Sequence, residues 1–231
     1  MVNPIDWIVS FFRDEIFVVY TPLFFKVLGE GLMVTLKISL CTIVISFLAG
    51  SALAIMRNSK NPVAHWIATI YVETVRNIPL LFFITMMVFF SPFPSNKIFN
   101  AILAMSIFTS GVVAEIVRGG LNGVPKGQWE AASSQGFGTF QAMVHVILPQ
   151  AYRRILAPMI AQFVTTIKDT SFCAVLAMGD LYDRAKQAIN QLNLRDHTAM
   201  VYVTVALVYF VVCFTFTNIA KRVQRSTYVI K

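Results

Sequence analysis

Five long runs of apolar residues constrain this chain more than any other feature of its sequence. The runs cover approximately Leu32–Met56, Trp66–Phe90, Ala101–Val117, Leu156–Leu176 and Ala199–Ala220. About 20 apolar residues let a helix cross bilayer hydrocarbon, and only the third run is slightly short. Backbone amides cannot be left unpaired in hydrocarbon, and runs that do not alternate exclude a membrane barrel. The sequence therefore predicts an all-α, polytopic membrane bundle of about five transmembrane helices.

Charge is too scarce for a soluble protein of this length. Hydrophobic residues make up 57% of the chain and charged residues only 13%. A soluble domain needs more charge to cover its surface, so the bilayer is the expected solvent. The net charge of +8 comes from residues that flank the apolar runs and form no basic stripe with interleaved aromatics. We therefore expect lipid, and no nucleic acid, as a partner.

The cysteines and histidines give no sign of a metal site, a disulfide framework or a catalytic centre. The three cysteines all lie in apolar stretches, and the three histidines are isolated from one another. Their spacing matches no metal-binding pattern. We expect no resident cofactor and no metal.

The basic residues also predict an orientation. With the N-terminus outside, ten Lys and Arg residues lie on the inner side and six on the outer side, so N-out and C-in is favoured. Residues 1–26 are then an extracytoplasmic or interfacial segment, in which Ile5–Phe25 lies along the outer surface; a sixth crossing there is the alternative. Leu181–His197 is predicted to be an outer amphipathic hairpin, and residues 223–231 a cytoplasmic tail. Lys37 is expected one turn from the outer end of its span, where it reaches the surface.

The cytoplasmic loop 119–149 is the most informative polar segment. Pro125 suits the start of a short helix, Glu130, Ala131 and Ala132 favour helix, and Gly136 suits its end. We expect this helix to expose Ala131, Ala132 and Ser133 to a partner and Glu130 to pair with a basic residue there. A plain polar connection is the alternative, but some thirty residues are far more than a connection needs.

Charged residues inside the predicted spans must face water, a cavity or a partner. Glu115 and Arg118 are three residues apart and are expected to pair along one helix, as are Glu73 and Arg76. Glu73, Arg76 and Pro79 are also substrate-pathway candidates, because a proline inside a membrane helix opens that helix locally. The forked guanidinium of Arg76 fits a carboxylate.

A second set of pathway candidates is the run Lys168-Asp169-Thr170-Ser171. Four adjacent positions encircle a helix, so part of this run must face a cavity. Lys168 and Asp169 could hold the carboxylate and ammonium of a zwitterion, with Thr170 and Ser171 as further donors. A structural polar network between helices is the alternative.

Several motifs in order resemble a known family. They are Gly31-x-x-x-Thr35-Leu36-x-x-Ser39, Glu73-Thr74-Val75-Arg76-Asn77-Ile78-Pro79-Leu80-Leu81, Ala114-Glu115-Ile116-Val117-Arg118-Gly119-Gly120, Gly127-Gln128-Trp129-Glu130-Ala131-Ala132 and Lys168-Asp169-Thr170-Ser171. Glu130-Ala131-Ala132, then Gly136, then Val146-Ile147-Leu148-Pro149 resembles the coupling motif of ABC-importer permeases, with Val146 in place of isoleucine. From about Gly29 to Arg222 the chain looks like a permease of the type I importers for polar amino acids, the histidine, glutamate, glutamine and arginine group.

The resemblance implies a permease domain at 27–222 and coupling of ATP hydrolysis through Glu130, Ala131, Ala132, Gly136, Leu148 and Pro149. It also implies two cytoplasmic ATPase subunits that bind the ATP, a second permease (identical or a sister) and an extracytoplasmic binding protein. The chain would be a transport subunit in the bacterial inner membrane that imports glutamate, aspartate or glutamine by alternating access. The alternatives are the same architecture with an opine or another small polar solute, and a membrane-embedded enzyme, for which the chain has no catalytic cluster.

Overall fold

A computed structural model describes residues 18–90 and 96–229 of the chain, with side chains up to residue 224. The described part is helical throughout, with short connections. Its helices are α1 Pro22–Arg57, α2 Pro62–Arg76, α3 Leu80–Phe90, α4 Lys97–Asn122, α5 Lys126–Ser134, α6 Thr139–Ala142, α7 Leu148–Asp169, α8 Leu181–Gln191 and α9 Thr198–Val229. A π-helical turn, Met143–Ile147, joins α6 to α7, and 3₁₀ turns at Thr170–Leu176 and Arg195–His197 flank α8.

The first helix begins ten residues before the predicted start of its span at residue 32. The Thr21 side chain accepts a hydrogen bond from the Phe24 N–H at 3.2 Å, and Pro22 occupies the first turn, so capping sets this start. Residues 22–26 of the predicted interfacial segment therefore belong to α1, while residues 1–17 lie outside the described chain. Lys37 is exposed about four turns into α1, because the helix extends ten residues beyond the start of the apolar run.

The predicted span 66–90 is two helices rather than one. α2 ends at Arg76, α3 begins at Leu80, and their axes bend by 102° at the break. Pro79 explains the break, because the residue before a proline is kept out of the helical conformation and the proline itself lacks an N–H. The prediction of a local opening at Pro79 therefore understated the effect.

Small side chains let α1 and α4 approach closely. The buried face of α1 carries Ser39, Thr42, Ser46, Gly50 and Ala54. A Cβ built on Gly50 would lie 2.6 Å from Cγ1 of Val113 and 2.7 Å from the carbonyl oxygen of Ser110 on α4. Contact through small residues is the usual way membrane helices pack, since lipid and protein side chains are equally apolar.

The predicted outer hairpin at Leu181–His197 is a single packed helix followed by a 3₁₀ turn. One face of α8, with Leu181, Ala185, Ala188 and Ile189, is buried against α1 and α9. The Leu181 N–H donates to Oγ1 of Thr35 at 3.0 Å. The amphipathic pattern was correct, but the turn of a hairpin is replaced by continuous helix.

Within residues 18–90 and 96–229, length and hydropathy identify three helices that can cross a membrane, α1, α4 and α9, and a fourth if the bent pair α2–α3 counts as one span. The predicted span that is not among these helices is the run 156–176. This run is divided between the end of α7, which carries Lys168 and Asp169, and the following 3₁₀ turn. At the other end of the chain, α9 continues to Val229, through most of the predicted tail 223–231.

Candidate functional site

The polar loop 119–149 forms a short exposed helix, α5, at one end of the bundle. Pro125 precedes it, as the sequence predicts, and Glu130, Ala131 and Ser133 face outward. Ala132, which was expected to be exposed, is buried at 4% because it lies on the side that packs inward. The outward face is therefore narrower than predicted and is centred on Glu130, Ala131 and Ser133.

Gly136 ends α5 in a left-handed conformation, with φ +85°. Its N–H donates to the Ser133 carbonyl at 3.0 Å, and the Phe137 N–H donates to the Ala132 carbonyl at 3.1 Å. These two bonds form a Schellman motif, in which the residue after the helix end must adopt positive φ and glycine does so without steric cost. The motif glycine is thus explained by the backbone of α5 alone, and a Cβ there would meet no atom within 4 Å.

Leu148 and Pro149, the last residues of the motif, lie where the π-helical turn becomes α7. The Leu148 N–H donates to the carbonyl of Met143, five residues earlier, so the helix is widened here. Pro149 supplies the physical reason. It offers no N–H to the carbonyl of His145 four residues earlier, and its ring would crowd that carbonyl in a regular α-helix. Sequence analysis assigned Pro149 to the coupling motif without foreseeing this turn.

Near the end of the bundle that carries α5, which we call the base, five charged residues form a network across α1, α2 and α4. Glu115 accepts hydrogen bonds from Arg118, at 2.8 and 3.1 Å, and from Nη1 of Arg57. Arg57 also reaches Glu73 with its Nη2 at 2.6 Å. Arg76 lies farther away, with its Nη1 3.9 Å from Oε2 of Glu115. The network joins the end of α1 to α2 and α4 near the end of the bundle that carries α5.

The network confirms one predicted pair and corrects another. Glu115 and Arg118 pair along α4 as expected. Glu73 pairs with Arg57 rather than with Arg76, because α1 ends beside α2 and brings the guanidinium of Arg57 closer. Arg57 was counted only as an inner-side charge in the sequence, and its partners follow from a helix crossing that spacing does not reveal.

A cavity of about 330 Å³ opens near the other end of α7. Two residues of the run 168–171, Lys168 and Ser171, line it together with Tyr182 of α8 and Tyr202 and Tyr209 of α9. Its size falls at the lower end of the roughly 300–1,000 Å³ of small-molecule sites. The tyrosines were missed, since nothing in their own sequence segments links them to the lysine.

The other pathway candidates do not join Lys168 and Ser171. Thr170 is buried, and its hydroxyl donates to the Ile167 carbonyl at 2.8 Å; Asp169 is partly buried and does not line this cavity. Among the described residues, Glu73, Arg76 and Pro79 line neither this cavity nor the larger one below. The structure thus separates the two predicted groups of pathway residues, one near the base and one near the far end of α7.

A buried carboxyl lies next to the tyrosine-lined cavity. Asp180 is fully buried and caps α8, with its Oδ2 accepting from the Tyr182 N–H at 3.1 Å. Burial raises the pKa of Asp180 to about 7, because the charged form loses its solvation. A helix N-cap of this kind is readable from the sequence Gly179-Asp180 before an amphipathic run, but its burial is not.

A second, apolar cavity of about 530 Å³ runs between α1, the end of α4 and α7. Its lining includes Phe47 and Phe163, whose rings contact edge to face with centroids 6.4 Å apart. Leu148 of the coupling motif and Tyr152 line its end near the base.

These features define a class: a polytopic helical membrane protein that presents a short capped helix at the base of its bundle. The comparisons with known proteins identify the family within this class. Residues 42–227 match the family model described as "Binding-protein-dependent transport system inner membrane component". The chain belongs to this family of inner-membrane transport components, whose members are transport subunits of ABC importers.

Individual relatives agree with this assignment. The chain is 34% identical over 200 residues to the probable glutamine ABC transporter permease protein GlnP of Bacillus subtilis (strain 168), covering 85% of this chain and 92% of that protein. It is 31% identical over 210 residues to the glutamate/aspartate import permease protein GltK of Escherichia coli O157:H7, covering 86% and 92%. A crystal structure of an amino acid ABC transporter with histidines superposes with a TM-score of 0.80 at 29% identity, covering 88% of this chain and 95% of that one. The predicted permease fold is thereby confirmed, and an importer of this kind works with an ATPase and a substrate-binding protein at a membrane.

Proposed function

We propose that this chain forms the membrane pathway of an ATP-driven importer of polar amino acids, with glutamate, aspartate or glutamine as the substrate class. The named relatives, permeases for glutamine and for glutamate and aspartate, support this class. The chain pairs with a second permease, either a copy of itself or a sister, and with two ATPase subunits. Substrate arrives from an extracytoplasmic binding protein and passes by alternating access.

The observation that carries the proposal is the outward face of α5. The helix ends in a Schellman motif and packs inward through Ala132, so its exposed residues Glu130, Ala131 and Ser133 are held in a fixed arrangement. Small side chains let a groove close around the helix, and the carboxylate of Glu130 offers a partner's basic residue a charge-assisted hydrogen bond. These are the properties expected of a docking site for a cytoplasmic ATPase.

We propose that the chain lies in a bacterial inner membrane with its N-terminus outside and its C-terminus in the cytoplasm. It puts α5 and the basic end of α9 on the side where ATP is present, and it follows the excess of basic residues near that side. Single cysteines test it in intact cells. An impermeant thiol reagent should label a cysteine at the exposed Asn190 and should fail to reach one at the exposed Lys126. Labelling at Lys126 from outside would overturn both the orientation and the docking site.

For the substrate path, we propose the tyrosine-lined cavity. The ammonium of Lys168 and the hydroxyl of Ser171 can bind the carboxylate of an amino acid, and the tyrosine rings offer faces to its ammonium group. Arg76 and Asp169 remain candidates elsewhere on the path, Arg76 beside Glu115 near the base. Uptake of radiolabelled glutamine, glutamate, aspartate, arginine and an opine should identify the substrate in a strain that lacks the wild-type gene. Lys168→Gln should lower its uptake, whereas Lys97→Gln, at the start of α4, should leave it unchanged. Equal uptake in both variants would remove this cavity from the path.

Charge reversal at Glu130 tests the docking site directly. Glu130→Arg should abolish uptake and the co-purification of the ATPase subunit encoded with the chain, without loss of membrane insertion. Gln191→Arg adds an arginine at an exposed position on α8 and should transport normally. If Glu130→Arg retains both the ATPase and wild-type uptake, α5 is not the docking site.

A further inference from the structure

The tyrosine-lined cavity has little charge of its own. Of the described residues that line it, only Lys168 is charged, and the others carry hydroxyl groups or are apolar. The ammonium of Lys168 favours an anion in this space. One carboxylate close behind the cavity wall would offset that preference, because opposite charges a few ångströms apart largely cancel at a distance.

Asp180 places a carboxyl group directly behind this wall. Its side chain is fully buried, and the wall residue Tyr182 donates its backbone N–H to Oδ2 at 3.1 Å. A second wall residue, Tyr209, interacts with Asp180 electrostatically. The other carboxyl oxygen, Oδ1, has no hydrogen-bond partner among the described residues, and neither has the buried hydroxyl of Tyr209. Such burial disfavours the ionised carboxylate, because its full charge loses the solvation of water.

No ion pair among the described residues stabilises the charged form of Asp180. The charged side chains nearby on α8 have other partners, since Lys186 lies 3.8 Å from Asp183 and Arg184 lies 3.4 Å from Glu30 of α1. Asp183 acts on Asp180 as a like charge. The charged 3₁₀ turn Arg195–His197 lies at the opposite end of α8.

The elements packed around the start of α8 contribute groups that are neutral near pH 7. They are the thiol of Cys173 in the preceding 3₁₀ turn, the hydroxyl of Tyr209 on α9, and Thr35 of α1, which does not titrate. Burial, with a smaller contribution from the like charge of Asp183, raises the pKa of Asp180 to about 7. Asp180 is therefore the group beside the cavity whose charge changes near neutral pH.

We propose that Asp180 is a specificity-determining residue whose protonation selects between anionic and neutral amino acids. The neutral carboxyl leaves the cavity with the positive charge of Lys168, which favours a substrate of net charge −1. The ionised carboxylate offsets that charge, and a substrate without net charge is then favoured. This inference rests on the proposed function, in which substrate passes through this cavity. It adds that a residue outside the cavity lining sets the preferred charge of the substrate.

The protonation of Asp180 sets the size of the expected effect. With a pKa of about 7, the neutral fraction falls from about 90% at pH 6 to about 10% at pH 8, a roughly ninefold change. The side chain of glutamate, with a pKa of about 4.3, is ionised at both pH values, so the substrate keeps its charge. We therefore expect the ratio of glutamate uptake to glutamine uptake to fall about three- to ninefold from pH 6 to pH 8.

Uptake by the reconstituted complex measures this ratio. The chain, its ATPase and its binding protein are assembled in proteoliposomes that enclose ATP, with the same pH on both sides of the membrane. The affinity of the binding protein for each amino acid is measured separately at both pH values, and the uptake ratio is corrected for it.

Two variants remove the titrating group, and a third is the matched control. Asn and Ser both cap a helix and cannot ionise, so Asp180→Asn and Asp180→Ser should give the same ratio at pH 6 and pH 8. Asp196→Asn makes the same chemical change at an exposed position beyond α8 and should keep the wild-type pH dependence.

Each outcome bears on one of the two proposals. A wild-type ratio that does not change with pH would overturn charge selection by Asp180, and so would a pH dependence that persists in both Asp180 variants. If Asp169→Asn removes the dependence and Asp180→Asn does not, the carboxyl beside Lys168 is responsible and the inference is wrong. If the wild-type complex takes up neither glutamate, aspartate nor glutamine at either pH, the proposed function fails instead.

Discussion

Replacing Gly136 by alanine should weaken α5 by an amount that the backbone alone determines. The residue has φ +85°, and an added Cβ would meet no atom within 4 Å, so no steric clash contributes. An L-residue in the left-handed conformation costs roughly 1–2 kcal/mol. A change of 1 kcal/mol corresponds to about a fivefold change in an equilibrium constant. We therefore expect the amides of α5 to open at least about fivefold more often in Gly136→Ala.

Hydrogen–deuterium exchange of the purified chain measures this opening, and Gly127 supplies the matched control. Gly127 lies in the first turn of α5 with ordinary helical geometry, and a Cβ there also meets open space. Gly127→Ala should slow exchange in α5, since alanine in a helix is favoured over glycine by up to about 1 kcal/mol. The two alanine variants thus change protection in opposite directions on one nine-residue helix. Equal protection in Gly136→Ala and wild type would refute the Schellman interpretation of the motif glycine.

Three further predictions concern the stability of the bundle, each measured by thermal unfolding in detergent. Glu115→Gln should lower the free energy of unfolding by about 1–3 kcal/mol, because three arginines lose their shared carboxylate. Glu73→Gln removes an exposed ion pair and should lower it by at most about 1 kcal/mol. An equal loss of stability in the two variants would contradict the network. Asp180→Ala should cost about 1 kcal/mol through the lost cap, and Asp180→Asn should retain the cap. Because burial raises the pKa of Asp180 to about 7, this carboxyl contributes stability at low pH, and that stability is lost as the pH rises through 7. Asp180→Asn should remove this pH dependence of the melting temperature. A wild-type melting temperature that does not change with pH would count against the burial argument. Gly120→Ala should destabilise the α4–α7 contact by about 1–3 kcal/mol, since the added Cβ would clash with the side chain of Ile155 on α7. Gly119→Ala meets open space and should be neutral or stabilising. Similar melting temperatures for the two variants would disprove the close contact.

Hydrophobic runs predicted the helical membrane fold because the bilayer allows few other solutions, but they did not locate the helix ends. α1 starts at Pro22 since Thr21 caps it, although the apolar run begins ten residues later. The bend at Pro79 is the opposite case, in which one residue divides an apolar run that is otherwise long enough to cross. Local capping and proline chemistry decided both positions, and hydropathy averages over such single residues.

The coupling helix was predictable in position and sequence, because its caps and glycine act within a few residues. The side on which Ala132 lies was not, since it depends on contacts with the distant π-helical turn. The same limit applies to the pairing of Glu73 with Arg57, which lie 16 residues apart on two different helices, α2 and α1. Sequence spacing suggested Arg76, three residues away, but the end of α1 supplies a closer cation. Tyr182, Tyr202 and Tyr209 join Lys168 only because α8 and α9 fold back against the end of α7.

The π-helical turn has a consequence for which sequence changes this region tolerates over evolutionary time. Between Thr139 and Pro149 the chain is continuously helical, because α6 leads directly into the widened turn and the turn leads directly into α7. Each residue of a helix advances by about 100°, so inserting or deleting one residue here would turn Ile147 away from the core. Substitutions that preserve size can accumulate in this interval, as Val146 in the isoleucine position illustrates, whereas changes in its length cannot. An alignment of related chains should therefore contain many exchanged residues here and no gap.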